Sequence, residues 1–189
     1  FRGLNTQDSP VNQDSSFASI AENAIIDKYG RIGARQGLDK LTSSTTPLGS
    51  SIGTEAIFEF TKNDGTTTVF STGNNKVFTG TTSLTDVTNS MTISANNWKI
   101  VSFNNDVYFF QRGHNALEYT SSSSSLGVVH ADAPDANEVC AAFGRLWAGD
   151  VANNTYTLYF SDTLDGDDWT GGTSGSLDLR TVWPTGFDE

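Results

Sequence analysis

Four aspartates crowd into one short segment near the end of the chain and are the residues best suited to hold a cation. Asp162, Asp165, Asp167 and Asp168 surround Gly166. Carboxylates this close together, with nearby backbone oxygens, are ligands that Ca²⁺ prefers. The spacing does not match an EF-hand loop, however, and no glutamate stands where that loop has its bidentate ligand. We therefore predict a solvated turn after a strand and no metal, with Asp162, Asp165 and Asp167 as the candidate ligands.

A second acidic group flanks Pro134 and could be interpreted as the acid pair of a glycosidase. Asp132, Asp135 and Glu138 make up this group. Glycoside hydrolysis needs two carboxyl groups at a set separation, one of them with a raised pKa. Nothing in the sequence places a second acid opposite these three against an apolar wall. We expect an exposed acidic linker.

The remaining catalytic signatures are missing from the sequence. The two histidines, His114 and His130, have no zinc-site spacing with other ligands. No serine lies in a Gly-x-Ser-x-Gly elbow, and no glycine-rich phosphate-binding motif occurs. We therefore predict no catalytic residues, no cofactor and no enzymatic activity.

The one cysteine and the tryptophans fit a packed interior. Cys140 lies in an apolar run that ends at Phe143, so we expect it to fill space in the core. A single cysteine cannot form an intrachain disulfide. We expect the tryptophans to pack between repeated units, although a platform for stacking sugars is the alternative; they are Trp98, Trp147, Trp169 and Trp183.

Basic residues are scarce, and their positions are therefore informative. Arg2, Arg31 and Arg35 lie within the first 35 residues, and Arg145 is the fourth notable arginine. Surface salt bridges are one interpretation. The functional alternative is docking to an acidic patch of a neighbouring subunit, which makes Arg2, Arg31 and Arg35 the candidate subunit-interface residues.

Composition argues against binding to nucleic acid or to an anionic membrane. The chain has 189 residues, a formal net charge of −11 and only 17% charged residues. Non-specific affinity for DNA comes from Lys and Arg that release counterions from phosphates, and few are available here. No apolar stretch approaches the roughly 20 residues that span a bilayer. A surface past which DNA slides without binding remains compatible with this charge.

Two regions follow from the pattern along the chain. Residues 1–47 form an N-terminal arm and hairpin, and residues 48–189 form the repeated part. Within the first region, helical spacing from Phe17 to Ala24 predicts a short helical turn that Asp14 to Ser16 could cap. A hairpin around Asp27–Gly30 is the competing interpretation, and we expect the helical turn to lead into it.

The second region repeats short strands separated by turns. The predicted strands are 56–60, 68–71 and 76–79, then 98–103, 106–110 and 116–119, and finally 138–143, 145–148 and 157–160. Taken as the last strands of their units, those containing Phe78, Tyr119 and Phe160 recur every 41 residues. Val69, Val107 and Leu146 align the second strands. We expect flexible loops between units, including the serine run from Ser121 to Ser125.

A period in the low forties with three or four short strands per unit is typical of β-propeller blades. The predicted fold class is therefore all-β, with propeller-like repeats of which about three blades are visible. Three blades fall short of the smallest usual propeller. We expect the chain to be a piece of a longer protein, or its blades to be completed by another subunit.

Two stretches of the sequence resemble one family. The N-terminal residues with this resemblance are Gly3-Leu4-Asn5-Thr6, Ser9-Pro10, Ala21-Glu22-Asn23-Ala24, Asp27-Lys28-Tyr29-Gly30-Arg31-Ile32 and Arg35-Gln36-Gly37. The later ones are Phe143-Gly144-Arg145-Leu146-Trp147-Ala148-Gly149, Leu158-Tyr159-Phe160-Ser161-Asp162, Asp168-Trp169 and Leu177-Asp178-Leu179. These patterns resemble the tail tubular protein B, or nozzle, group of short-tailed bacteriophages and the related tail stabilisation proteins. Nozzle proteins are usually several times longer.

The resemblance implies a structural component of the virion. Such proteins form a homo-oligomeric ring, typically of six copies, below the portal and the tail adaptor. The ring continues the DNA channel, retains the packaged DNA and lets it pass during ejection without specific binding. The partners implied are the adaptor and other tail proteins. A carbohydrate-binding propeller, such as a receptor-binding or lectin module, is the alternative.

Overall fold

Short β-strands build nearly all of the regular structure of this protein. The computed structural model describes residues 2–5, 7, 9, 12–18, 22, 24–35, 53–89, 91–129 and 132–182. The chain divides into two compact units, residues 1–40 and 41–189. The boundary expected near residue 47 falls in the segment 36–52, outside the described residues, and stays a prediction.

The first unit contains two small pairs of strands. β1 (Gly3–Leu4) pairs in parallel with β2 (Phe17–Ala18), and β3 (Ala24–Ile26) pairs antiparallel with β4 (Ile32–Ala34). The predicted hairpin around Asp27–Gly30 is confirmed. Gly30 has a φ of 76°, which glycine adopts at little cost, and this closes the turn.

The helical turn predicted from Phe17 is wrong. The Asp14 carboxylate does accept a hydrogen bond from the Ser16 amide, and the Phe17 amide bonds to the Asp14 carbonyl. Phe17 and Ala18 form a strand and not a helix, because the carbonyls of Ser16 and Ala18 accept the amides of Arg2 and Asn5. Pairing with a distant strand therefore overrides a local helical pattern. Ile20 and Ala21, part of the same prediction, lie outside the described residues.

The second unit consists of three four-stranded antiparallel sheets, each formed by strands in chain order. Sheet 1 contains β5 (Ala56–Thr61), β6 (Thr67–Gly73), β7 (Lys76–Thr79) and β8 (Thr85–Asp86). Sheet 2 contains β9 (Lys99–Phe103), β10 (Asp106–Gln111), β11 (His114–Thr120) and β12 (Ser125–Val128). Sheet 3 contains β13 (Ala136–Ala142), β14 (Arg145–Val151), β15 (Thr157–Phe160) and β16 (Gly175–Asp178), and a single helical turn, α1 (Leu179–Val182), follows it.

The fold is therefore all-β, as predicted, with three repeats in the second unit. Val69, Val107 and Leu146 do lie in second strands. Phe78, Tyr119 and Phe160 lie in third strands, however, because each sheet adds a fourth strand that the sequence did not reveal. The three sheets are separate and do not close into a barrel.

Two-residue turns join the strands of three hairpins and fix their register: β6–β7 in sheet 1, β9–β10 in sheet 2 and β13–β14 in sheet 3. Asn74-Asn75 and Asn104-Asn105 have φ values between 47° and 70°. Two consecutive left-handed residues make the hairpin turn whose twist matches the flanking strands, and asparagine tolerates this conformation well. The corresponding turn of sheet 3 is Phe143-Gly144, with φ values of 54° and 71°.

Sheet 2 is the middle layer, because its second strand is buried on both faces. Val107 and Phe109 contribute to one apolar core, whereas Tyr108 and Phe110 contribute to another, and all four are at most 3% exposed. The first core lies between sheets 1 and 2 and contains Phe60, Phe70, Val77, Trp98, Leu117, Tyr119 and Leu126. The second lies between sheets 2 and 3 and contains Ala116, Val129, Ala136, Leu146, Ala148 and Trp169.

Edge-to-face aromatic contacts join neighbouring sheets within these cores. The Phe70 ring of sheet 1 lies 5.6 Å from the Phe109 ring and 4.8 Å from the Tyr119 ring. On the other side, Phe110 meets Trp169 at 5.9 Å. Such contacts add about 0.5–1.5 kcal/mol to area burial. The three sheets are thus stacked face to face.

The turns at one end of the stack also contact one another, from sheet 1 to sheet 2 and from sheet 2 to sheet 3. The Asn63 amide beside β5 donates to Asn105 Oδ1 of sheet 2 (2.7 Å), and Asn104 Nδ2 donates to the Leu164 carbonyl of sheet 3 (3.0 Å). First strands also approach one another, since β9 lies against β13 and near β5. The sheets therefore come closest along the side formed by their first strands.

The serine run expected to be a flexible loop is anchored at its first residue, whereas Ser122 to Ser125 are exposed. Ser121 is 7% exposed, and its amide donates to Asp106 Oδ1 at 2.6 Å. Asn105 Nδ2 donates to its hydroxyl, and Lys62 Nζ donates to its carbonyl. The run is a turn, and its last member, Ser125, begins β12.

Candidate functional site

The acidic segment after β15 is the first candidate, and its carboxylates bind their own loop. Asp162 Oδ1 accepts the amides of Thr163 and Thr173 and the Thr173 hydroxyl, at 2.6–2.9 Å. The bond from the Thr173 side chain, with those backbone bonds, lowers the pKa of Asp162 to about 2. Asp162 therefore closes the loop between β15 and β16.

Other aspartates of this segment also accept hydrogen bonds from loop amides, but from residues only two or three positions away in the sequence. Asp165 Oδ1 accepts the Asp167 amide, and Asp168 Oδ1 accepts the amides of Thr170 and Gly171. They line an open cleft of about 390 Å³ together with Asp167. Within the described part of the chain, no three His, Cys, Asp or Glu side chains converge to hold a metal ion.

Arg145 fastens the same loop from β14. Its Nη1 donates to the carbonyls of Ser161 and Thr173, both at 2.7 Å, and its Nη2 donates to the Thr173 hydroxyl. The guanidinium also lies 5.4 Å from the centre of the Phe160 ring. The sequence suggested that Arg145 forms a salt bridge or docks on a neighbouring subunit, whereas its planar donors hold the 14-residue connection between β15 and β16 in place.

The sequence did not suggest the most perturbed titratable pair, Tyr108 and Glu118. These residues are direct partners in the β10–β11 register, and the Tyr108 hydroxyl donates to Glu118 Oε1 at 3.1 Å. Burial is the main cause that raises the pKa of each, and the nearby Asp167 and Asp106 charges raise both further. The predicted hairpin could have placed Tyr108 near Glu118, but Asp167 comes from a distant part of the sequence.

This pair lies beneath the acidic loop. Tyr108 is only 3% exposed, and Gly166 lies so close to it that a Cβ there would clash with Cζ of the ring. A raised tyrosine pKa also disfavours the phenolate that a base would need. The pair therefore anchors the acidic loop to sheet 2 through the close approach of Gly166.

Replacing Glu118 by glutamine should raise the melting temperature at pH 7. The amide keeps an acceptor for the Tyr108 hydroxyl and removes a charge that lies near Asp106 and Asp167. Because the folded pKa exceeds its ordinary value of 4.5, ionisation of Glu118 costs stability as pH rises through that range. The gain measured by thermal unfolding should therefore vanish at pH values well below 4.5.

Glu55→Gln is the matched control for this change, since Glu55 is exposed and carries the same charge. It should produce a smaller shift with little dependence on pH. An equal shift in both variants would mean that net charge alone, and not the Tyr108 environment, is responsible.

The second acidic group does not come together as a catalytic pair. Asp132 Oδ2 accepts the Thr170 hydroxyl at 3.3 Å, and Glu138 lies 3.5 Å from Lys99 of sheet 2. Asp135 contributes its carbonyl to the Gly113 amide. His114 lies beside the Trp98 ring at 6.2 Å, and His130 is outside the described residues.

Cys140 was predicted to fill the core, and this prediction is wrong. Its side chain is exposed and has no disulfide partner. The apolar run around it forms part of β13 in sheet 3, which packs against sheet 2 on one face only. Cys140 lies opposite Trp147, on the face that points away from sheet 2, whereas Val139 packs toward the core.

The tryptophans favour packing over sugar binding. Trp98 and Trp169 are 3% and 6% exposed and lie in the two cores, as predicted. Trp147 is half-buried, and all three indole N–H groups donate to backbone carbonyls of the protein. Trp183 lies outside the described residues.

The candidate interface arginines lie in the first unit and are exposed. Arg31 Nε forms a 2.9 Å salt bridge with Asp27 and its guanidinium lies 5.3 Å from the Tyr29 ring centre, so it stabilises its own turn. The pKa of Asp27 is lowered, chiefly by its bond from the Arg31 amide. Arg2 and Arg35 are exposed, and their role in docking stays a prediction.

Two further observations bear on function. No helix among residues that the structure describes is long and apolar enough to cross a membrane. Comparison of the chain with protein-family models, with curated proteins and with solved structures finds no match in any of the three.

Proposed function

We propose that the three sheets are consecutive blades of a β-propeller and that the protein is a structural component of a short-tailed phage tail. Its role is that of a nozzle or tail tubular protein, in which copies form a ring that continues the DNA channel. The ring retains packaged DNA and permits its ejection. The proposed location is the virion tail.

The observation that carries this proposal is the stack itself. Three four-stranded antiparallel sheets follow one another along the chain, the middle one is buried on both faces, and their first strands approach one another. Small twisted sheets that cover one another and converge along one side are what a propeller requires. The family resemblance of the N-terminal hairpin and of β14 supplies the link to phage tails.

The chemistry of the side chains supports a structural role. Most of the acidic candidates are engaged within the protein. Asp162, Asp165 and Asp168 accept loop amides, Asp132 accepts the Thr170 hydroxyl, and Glu138 lies near Lys99. Tyr108 and Glu118 lie beneath a loop. The proposed partners are further copies of the chain, in a ring of six, together with the tail adaptor and neighbouring tail proteins.

The protein should not retain double-stranded DNA at physiological salt. With a net charge of −11, the protein has few Lys and Arg side chains that could displace the counterions of DNA phosphates. A filter-binding or fluorescence-anisotropy titration should show no binding at about 150 mM salt, an ionic strength at which non-specific binders still associate in the 10⁻⁴–10⁻⁶ M range. Tight, salt-sensitive binding would contradict a channel through which DNA slides.

Immunogold labelling of purified virions that carry this protein tests the assignment to the tail. We expect gold at the tail end of the particle and release of the protein only when the tail is dissociated. Labelling on the capsid alone, or a protein absent from virions, would remove the proposed function. Specific binding on a glycan array would favour the carbohydrate-binding alternative, although Trp98 and Trp169 are buried and Trp147 is half-buried.

A further inference from the structure

We propose that the β3–β4 hairpin of the first unit, with Tyr29 at its tip, docks on the acidic second unit of another copy of this chain. The inference rests on the proposed function in one respect, since it supplies the contact between copies of the ring. The partner is a second copy, and residues 41–189 of that copy carry the surface on which the hairpin docks.

The exposure of the hairpin is the first observation. Every described side chain of β3 and β4 is exposed, including Ile25 at 51% and Ile32 at 55%. Ile32 pairs with Ile26, the neighbour of Ile25, so the two exposed isoleucines lie on opposite faces. A two-stranded hairpin without further cover is marginally stable in water. A partner that covers either face would therefore stabilise it.

The tip of the hairpin is the second observation. Tyr29 is 71% exposed, and Lys28 Nζ and the Arg31 guanidinium lie 5.1 Å and 5.3 Å from the centre of its ring. Asp27 Oδ1 accepts the amides of Tyr29 and Arg31, which holds the turn in one conformation. An aromatic side chain that is held before binding loses less conformational entropy when it docks. Tyrosine is also enriched among the residues that contribute most to binding at protein interfaces.

Charge complementarity is the third observation, and it identifies the partner. The hairpin, residues 24–35, contains three basic residues and one acidic residue, a formal net charge of +2. Residues 41–189 contain 17 of the 22 acidic residues of the chain but only six of the 11 basic ones. The hairpin of one copy and the second unit of another therefore attract each other.

Two of the three cations of the hairpin are available to a partner. Arg31 forms a salt bridge with Asp27 and therefore shapes the tip. Lys28 and Arg35 are exposed, and neither forms a salt bridge with any residue that the structure describes. These two side chains supply the positive charge that an acidic surface would meet.

The size and symmetry of the contact follow from these surfaces. A hairpin of this length covers less than the roughly 800 Å² per partner of a standard interface, so each contact is weak and sensitive to salt. The hairpin and the acidic surface differ, and the contact is therefore heterologous. Heterologous contacts propagate from copy to copy and produce either a ring or an open filament.

The test is self-association of the 189-residue chain, measured by sedimentation velocity from low to high micromolar concentration. The wild type should associate at about 0.1 M salt and dissociate at about 1 M salt, since the screening length falls from about 10 Å to about 3 Å. Tyr29→Ser should weaken association about 30-fold, which corresponds to an anchor of about 2 kcal/mol. Serine keeps the turn, because the bonds to Asp27 come from backbone amides.

Two further variants separate the hairpin from other surfaces. Lys28→Glu leaves Tyr29 in place and reverses one charge, and it should also weaken association. Tyr156→Ser is the matched control, since Tyr156 is 40% exposed and lies 5.6 Å from the Arg180 guanidinium in the second unit. This control should associate as the wild type does.

A photo-crosslinking residue at the tip identifies the partner directly. Tyr29→p-benzoylphenylalanine should give a covalent dimer in which position 29 is joined to peptides from residues 41–189 of the second copy. Crosslinks confined to a monomer would overturn the inference, because the hairpin would then contact its own chain. Crosslinks between two hairpins would overturn it as well.

The inference and the tail assignment can fail separately. A wild type that stays monomeric at high micromolar concentration, or a Tyr29→Ser variant that associates normally, would overturn the inference, whereas gold at the tail end of virions would still support the tail assignment. Association through the hairpin in a protein that is absent from virions would support the inference and remove the proposed function.

Discussion

Replacing Phe109 by alanine should lower the free energy of unfolding by about 3–5 kcal/mol, the usual cost of removing a buried phenylalanine. Phe109 is 0% exposed and contacts the Phe70 ring of sheet 1. Phe110→Ala should cost about the same, although Phe110 points the other way, toward Trp169 of sheet 3. Urea unfolding monitored by tryptophan fluorescence measures both changes.

These two neighbouring positions test the two sides of sheet 2 separately. Val128→Ala is the control in the same sheet, because Val128 is 51% exposed and should lose under about 1 kcal/mol. A large loss for Phe109→Ala together with a small one for Phe110→Ala would mean that sheet 3 does not cover sheet 2. A small loss for Phe109→Ala together with a large one for Phe110→Ala would mean that sheet 1 does not cover sheet 2.

Replacing Arg145 by alanine should destabilise the protein by about 1.5–3 kcal/mol, the range for hydrogen bonds made by a charged group. The variant leaves the Ser161 and Thr173 carbonyls without their donor and frees the crossing from β15 to β16. Arg145→Lys should recover little, because an ammonium cannot reproduce the planar donors. Hydrogen exchange should show faster exchange of the Thr173 amide, which bonds to Asp162.

Arg180→Ala provides the matched control, since Arg180 makes an exposed salt bridge with Asp178. Exposed pairs contribute about 0–1 kcal/mol, so this change should be small. Equal losses for Arg145→Ala and Arg180→Ala would show that the acidic loop does not depend on the guanidinium.

Local signals in the sequence were sufficient to predict the hairpins. Asn104-Asn105 between two apolar runs predicts a tight turn, and the continuous run Val107 to Phe110 is typical of a strand buried on both faces. The fourth strands gave no such signal. Thr85–Asp86 has two residues, and Gly175–Asp178 begins with a glycine, so neither has the length or the β-propensity that marks a strand.

The wrong predictions have a common physical cause: contacts with residues far away in the sequence determine the local conformation and burial. Phe17 forms a strand because it pairs with β1. Cys140 is exposed because no sheet among the described residues covers β13 on that side. Arg145 and Asp162 close a loop through Thr173, whose position relative to both depends on the whole sheet. Spacing along the chain carries none of this information.

A cryo-electron microscopy reconstruction of the assembled protein, at a resolution that separates strands, tests the central claim most directly. We expect four-stranded sheets that radiate from a central opening wide enough for double-stranded DNA, with their first strands innermost and sheet 2 enclosed between its neighbours. A flat sandwich of continuous sheets, or sheets whose first strands diverge from any common axis, would contradict the account.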